Sequence, residues 1–266
     1  MVSSPTIFIV RHAERLDHVD RNWQPDPSRC IWDPPITSKG HQQAQKTGME
    51  LARLIKQQNL DTTKITIYSS PFQRCIDTSL SMIEGMALSA TLRLEVGLGE
   101  WMSDRFFDDV CPAQMLINQQ YEQIARLQAY NYSAQNNSLL LKMDYAYQSV
   151  QSEFDFPERY TDMLQRFDET RFHCLQEHQD GVIIFVTHAA GANALLDGFR
   201  NKLTRPLESN YCSISCVKYK YEECMDLSDQ SDEELYFGYD NNNNNVSSSS
   251  ASSKWSIELE MSDTHL

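Results

Sequence analysis

The stretch "TIFIVRHAERLD" (residues 6–17) decides the fold. Thr6 to Val10 form a short apolar run, β-branched and aromatic, which reads as a buried strand rather than a helix. The run stops at Arg11, His12, Glu14 and Arg15. Two more runs end beside basic residues. "KITIYSS" (64–70) leads into the segment carrying Arg74, and "GVIIFVTH" (181–188), the clearest buried strand of the chain, ends at His188.

Helical patterns separate these strands. "TSKGHQQAQKTGMELARLIKQQ" puts Ala44, Gly48, Leu51 and Ile55 on one face, with Thr37 or Ser38 as N-cap. "SPFQRCIDTSLSMIEGM" places Ser70 as N-cap and Pro71 at the first helical position, with Cys75, Ser79, Met82 and Met86 on a shared face. "PERYTDMLQRFDETRFHCLQEH" is amphipathic through Tyr160, Met163, Phe167 and Cys174, and "AAGANALLDGFRN" follows His188 as a helix. "TLRLEVGLGEW" (91–101) and "YCSISCVKYKYE" (211–222) read as further strands. Alternating strands and helices predict an α/β fold, a three-layer sandwich with a mostly parallel central sheet and helices on both faces. In such sheets ligands sit at the carboxyl ends of the strands.

Residues 1–222 are expected to form the catalytic domain, with 102–155 as a helical or loop insertion forming a lid. Residues 223–253 are acidic, then Asn- and Ser-rich, and too polar to offset their ordering entropy, so a disordered loop is expected. "KWSIELEM" (254–261) alternates and is expected to return as a strand beside 213–221, within a C-terminal segment 254–266.

Bulk properties narrow the function classes. The 266 residues suit one large domain, and hydrophobic content of 41% with charged content of 23% is ordinary for a globular protein. The net charge is −14, and eight acids fall between Glu222 and Asp240 without a Lys or Arg. Neither nucleic acid nor an anionic membrane is expected as a general partner. The N-terminus has only a four-residue apolar run before its arginines, unlike a signal peptide, and no stretch approaches the roughly 18 apolar residues of a span. The seven cysteines are scattered without a CxxC pair. That spacing indicates neither a zinc cage nor a disulfide framework, and suggests a reducing compartment, cytosolic or nuclear.

The chemistry follows from gathering His12, His188, Arg11, Arg15 and Arg74. Clustered cations repel, and an anion with several oxygens relieves the cost of burying them. A phosphoryl group fits, because arginine forks match its oxygens, one imidazole can attack phosphorus, and a second can stabilise the transition state. A thiol mechanism is rejected. Six residues after the cysteines stand Ile36, Ser81, Ile117, Asp180, Lys218, Glu222 and Gln230, none of them Arg.

These motifs resemble those of the histidine phosphatase superfamily, in its phosphoglycerate mutase-like branch. "RHAE" (11–14) is similar to the family's Arg-His-Gly-Glu, "SSPFQRCIDTS" to its Ser-Pro followed by Arg, and "IIFVTHAAG" to its apolar strand ending in His-Gly. The resemblance spans about residues 5 to 222. "RHAERLD" and "GLGEW" look most like the T-cell ubiquitin ligand and ecdysteroid-phosphate phosphatase group.

The resemblance implies His12 as nucleophile and Arg11, Arg15, Arg74 and His188 around the phosphoryl oxygens. It implies Glu100 as proton donor, then activator of water, with Asp104, Asp108 and Asp109 as competitors for that role. It implies no metal or organic cofactor. The expected partner is a phosphorylated substrate, a small molecule or a phosphoprotein, and no oligomeric state is specified. The implied function is hydrolysis of a phosphate monoester through phosphohistidine, with phosphotyrosine or a bulky small-molecule phosphate as the expected class. The alternatives are a phosphoglycerate mutase-type phosphotransferase or a catalytically weak interaction protein. Arg15 also has acids nearby, Asp17 and Asp20, with which it can simply pair. Two departures stand out: Ala13 replaces the family's usual Gly, and "HAAG" replaces His-Gly-Gly. A requirement for φ > 0 at position 13 would strain the pocket. Residues 17–35 and 102–155 are expected to line the entrance, with Trp23, Trp32, Trp101, Phe106, Phe107 and several tyrosines available.

Overall fold

The structure, a computed structural model, describes residues 4–25, 32–133, 140–220 and 254–266. Its strands are β1 (Thr6–Arg11), β2 (Ile65–Ser69), β3 (Ala90–Leu94), β4 (Leu141–Met143), β5 (Val182–Thr187), β6 (Ile214–Tyr219) and β7 (Trp255–Ser262). They form one sheet in the order β4-β3-β2-β5-β1-β6-β7. The pairs from β4 to β1 are parallel, while β6 runs antiparallel to β1 and β7 antiparallel to β6. The helices are α1 (Leu16–Val19), α2 (Ser38–Gln57), α3 (Gln73–Met86), α4 (Ala113–Ser133), α5 (Tyr160–Gln176) and α6 (Ala189–Arg200).

Strand β5 is buried at every position, so both faces of the sheet need cover. Alternation along β1 distributes the cover. Phe8 and Val10 pack with Leu51 and Ile55 of α2 and Met82 of α3. Ile7 and Ile9 face the other way, with Met163 and Phe167 of α5 and Leu195 and Leu196 of α6. Arg11 lies opposite Thr187 and Ser69 opposite Val186, so β1, β2 and β5 end level at one edge. That edge carries the candidate site.

Thr37 caps α2, its hydroxyl accepting from the Gly40 amide at 2.9 Å. Ser70 does not cap α3. Phe72 holds the N-cap position without a side-chain bond, and Pro71 precedes the helix. The Gln73 amide instead donates to the Asp33 carboxylate at 2.8 Å, a tertiary partner that frees Ser70 for another contact. Within 102–155 stand α4 and also β4, which extends the sheet in parallel beside β3. Three residues are too few to show strand alternation in sequence. The 223–253 stretch expected to be disordered lies outside the described residues.

His265, which sequence position alone suggests is solvated, is half-buried, with Nε2 2.9 Å from the Thr47 hydroxyl of α2. Cys75, Cys174, Cys212 and Cys216 are buried free thiols, whereas Cys111 is disulfide-bonded. Scattered spacing had indicated no such link, because pairing depends on tertiary proximity that spacing does not encode. Among the described residues, no helix is long and apolar enough to cross a membrane.

The α2–α3 contact is close enough to require glycine. A Cβ on Gly48 would sit 2.1 Å from the Met82 carbonyl oxygen, backbone that cannot swing aside. A Cβ on Gly198 would meet the movable ends of Asp168 and Arg171 at 2.8 and 2.9 Å. Gly48→Ala should therefore destabilise the fold by about 1–3 kcal/mol, as overpacking does, and Gly198→Ala by clearly less. Urea midpoints of the two variants at equal m-value check the ranking.

Candidate active site

His12 follows β1 and is 2% exposed. Its Nδ1 lies 2.8 Å from the Ala13 carbonyl, which can only accept, so Nδ1 carries the proton. The lone pair is then on Nε2. Burial lowers the His12 pKa well below the ordinary imidazole value, and the Arg74 and Arg11 charges and the neighbouring His188 ring lower it further. The ring is a neutral base.

Ala13 contributes through its backbone. Its amide donates to the Thr78 hydroxyl at 2.9 Å, and its methyl packs with Ile36, Ala44 and Cys212. It is not among the positive-φ residues, so the alanine carries no backbone strain. Ala189 and Ala190 begin α6 in the same unstrained way.

His188 follows β5 directly, at the N-cap of α6, and is 0% exposed. Its ring stands edge-on to His12, centroids 5.3 Å apart, and edge-on to Phe72 at 5.2 Å. Nε2 is 2.9 Å from the Ser70 hydroxyl. Nδ1 is 3.3 Å from Glu100 Oε2, near enough for ion pairing but off-line for a hydrogen bond. Burial lowers its pKa to about 4, against the raising effect of Glu100.

Arg74 rises from the first turn of α3 and is 1% exposed. It reaches Glu100 Oε2 at 3.3 Å and Asp33 Oδ1 at 3.5 Å, and lies over the Phe72 ring at 4.5 Å. Arg11 lies over the Tyr211 ring at 4.3 Å and donates through Nη1 to the Ser209 carbonyl. The Tyr211 ring is also 5.7 Å from that of His12. Arg15 forks onto Asp17 at 3.0 and 2.7 Å, the plain pairing its neighbours allow, and its charge still reaches Arg11 and His188.

Glu100 is 18% exposed on its side chain, and its Oε1 accepts from the Trp101 amide at 3.1 Å. Burial pushes its carboxyl up, but His188 and Arg74 outweigh that and hold it well below the usual carboxylate range. The competing acids Asp104, Asp108 and Asp109 are exposed, and among the described residues they form no ion pair with His12, His188 or Arg74. Trp101 packs edge-on against Phe106 at 5.8 Å and Tyr160 at 5.4 Å. Phe107 is buried and faces Phe72 at 6.2 Å, so it belongs to the core.

Sequence reasoning missed Ser70, Asp33, Ser209 and Tyr211 as neighbours of the cluster. Ser70 stood in a quoted motif but looked like a helix cap. Asp33 sits in a Pro-rich loop with no periodic signal, and Ser209 and Tyr211 only border a strand. Among the described residues, no group of His, Cys, Asp and Glu is disposed to hold a metal ion.

Both imidazoles stay neutral in the folded chain at pH values where an unfolded imidazole takes a proton. Between pH 6.5 and about 4 the unfolded chain binds more protons at His188, so stability is full above that window and falls as pH drops through it. His188→Asn should therefore flatten the fall in unfolding free energy over this window. Urea titrations of both proteins across it provide the measurement, and an unchanged slope would contradict burial of a neutral ring.

A model of the histidine phosphatase superfamily (branch 1) matches residues 7–110. The chain is similar to ecdysteroid-phosphate phosphatase of Drosophila melanogaster, 26% identical over 254 residues, covering 80% of this chain and 30% of that protein. It is also similar to the transcription factor tau 55 kDa subunit of Saccharomyces cerevisiae, 28% identical over 247 residues, covering 88% and 52%. The chain thus spans about a third to a half of the length of these relatives. Among solved structures it resembles ecdysone phosphate phosphatase from Bombix mori in complex with tungstate, with TM-score 0.57, 17% identity, and 87% of this chain and 98% of that one covered. It also resembles phosphoglycerate mutase from Bacillus anthracis, with TM-score 0.51, 17% identity, and 82% and 89% covered. The fold is phosphoglycerate mutase-like. The family model's match covers the stretch that carries Arg11, His12, Arg74 and Glu100, so over residues 7–110 the chain is similar to the histidine phosphatase superfamily, branch 1.

Proposed function

We propose that the chain is a phosphatase that hydrolyses a phosphate monoester through a phosphohistidine on His12. One observation carries the reading. Among the described residues, Arg11 Nε, Arg74 Nε and His188 Nδ1 are buried without a hydrogen-bond partner, and all three residues act electrostatically on His12. Buried donors left unpaired are costly, and a tetrahedral oxyanion beside His12 offers acceptors to each of them.

The steps follow from the charges. His12 Nε2 attacks phosphorus while Nδ1–H stays bonded to the Ala13 carbonyl. The phosphate dianion offsets the cations that hold Glu100 ionised, so Glu100 can take up a proton. Glu100 passes that proton to the ester oxygen as the P–O bond breaks and the N–P bond forms. The Glu100 carboxylate then accepts a proton from water as its oxygen attacks the phosphohistidine. Phosphate leaves and His12 is regenerated.

Hydrolysis is favoured over transfer by exposure. Nucleophile and second histidine are buried, whereas the Glu100 side chain is 18% exposed and opens the acid's side to water. The Trp101, Phe106 and Tyr160 cluster next to Glu100 suits a leaving group with an aromatic or bulky apolar body. The similarity to a transcription factor subunit motivates a second reading, phosphate binding without turnover.

Purified protein should release phosphate from an aryl phosphate, and His12→Ala should reduce release to background. Acid-labile, alkali-stable label from the radioactive ester should appear on wild type and not on the variant. Wild-type release no faster than the variant's would overturn the enzyme reading in favour of binding alone, and transfer to added phosphoglycerate would favour a mutase.

A further inference from the structure

Arg166 of α5 is a buried cation that these steps do not use. Its Nε and Nη2 fork onto Glu158 at 2.7 and 2.9 Å. Nη1 donates to the carbonyls of Gly97 at 2.7 Å and Gly99 at 3.2 Å, and Nη2 also to the Glu100 carbonyl at 3.2 Å. All five guanidinium donors are thereby engaged. Glu158, buried as well, continues the grip. Its Oε2 accepts from the Met102 amide at 3.1 Å and its backbone amide donates to the Met102 carbonyl at 2.8 Å. Its carbonyl accepts the Trp101 indole N–H at 2.9 Å. Thr187, the residue before His188, holds the Leu98 carbonyl at 2.7 Å.

The gripped residues, 97 to 102, lead out of the 3-10 turn Val96–Leu98, and among the described residues no strand pairs with their carbonyls. A buried ion pair adds little net stability over an apolar pair of the same volume, yet it fixes geometry wherever its bonds end. Here they end on the backbone that presents the Glu100 carboxylate. The bonds of the Arg166 and Glu158 side chains go to one another and to backbone of 97–102, not to His12, His188, Arg11 or Arg74.

We propose that Arg166 and Glu158 form a positioning pair that holds Glu100 in line with the leaving oxygen. The proposal rests on the reading of Glu100 as proton donor. A loosened Glu100 harms only a leaving group that needs the proton. A brace of general structural importance would instead weaken phosphate gripping and slow every ester alike.

The test compares full-length wild type, Arg166→Lys and Glu158→Gln on two esters. One is an aryl phosphate with an acidic phenol, the other an alkyl phosphate. Turnover of the alkyl ester should fall by about tenfold or more, within the range general acids contribute, and turnover of the aryl ester much less. Inhibition by orthovanadate should be unchanged. Equal losses on both esters, or parallel loss of vanadate inhibition, would overturn the proposal. So would failure of both variants to fold by circular dichroism, which assigns the pair to stability; one folded variant is enough for the comparison. Lack of wild-type turnover on either ester is a different failure, that of the phosphatase reading, and removes the proposal with it.

Discussion

Guanidiniums and imidazoles gathered at three strand ends repel one another, and burying them together is the constraint from which the rest of the site follows. The chain meets it in two ways. Acids are brought from outside the strands, Asp33 to Arg74, Asp17 to Arg15 and Glu100 to both Arg74 and His188. The imidazoles are kept neutral, His188 with its pKa lowered to about 4. Among the described residues, Arg11 Nε, Arg74 Nε and His188 Nδ1 stay buried without a partner, the part of the cost that these two devices leave uncompensated.

The division of labour in the sheet follows. Level ends of β1, β2 and β5 give His12, His188, Arg11 and Arg74 a rigid frame, because each belongs to a strand or to the first turn after one. Glu100 stands on irregular backbone beyond a 3-10 turn. Such backbone has no ladder to hold it, so side chains from α5 and the segment before it must do so.

The parts legible in sequence are those whose signal is local. β1, β2 and β5 were visible as short apolar runs, and Thr37 as a cap, because periodicity and capping act within a few residues. Ser70 was misread for the same reason. Its position before Pro71 fits a cap, but His188 and Asp33, distant in sequence, settle where its hydroxyl goes and what caps α3 instead. β4 is too short to carry alternation, and Cys111 is linked by a proximity that no spacing announces. Within the site, the histidines and Arg74 were legible because each follows a readable strand. Their partners Asp33, Ser209 and Tyr211 come from loops, where nothing periodic marks a residue as important.

Ala13 shows why a departure from a familiar motif has to be judged from the backbone. A glycine is needed where φ is positive or where a Cβ has no room. Neither holds here, since the residue lies outside the left-handed region and its methyl fills a small apolar niche with Ile36, Ala44 and Cys212. What the pocket takes from position 13 is the carbonyl that orients His12 and the amide that ties the turn to Thr78. Both are backbone groups that glycine and alanine share, so the substitution preserves the feature on which the His12 tautomer depends.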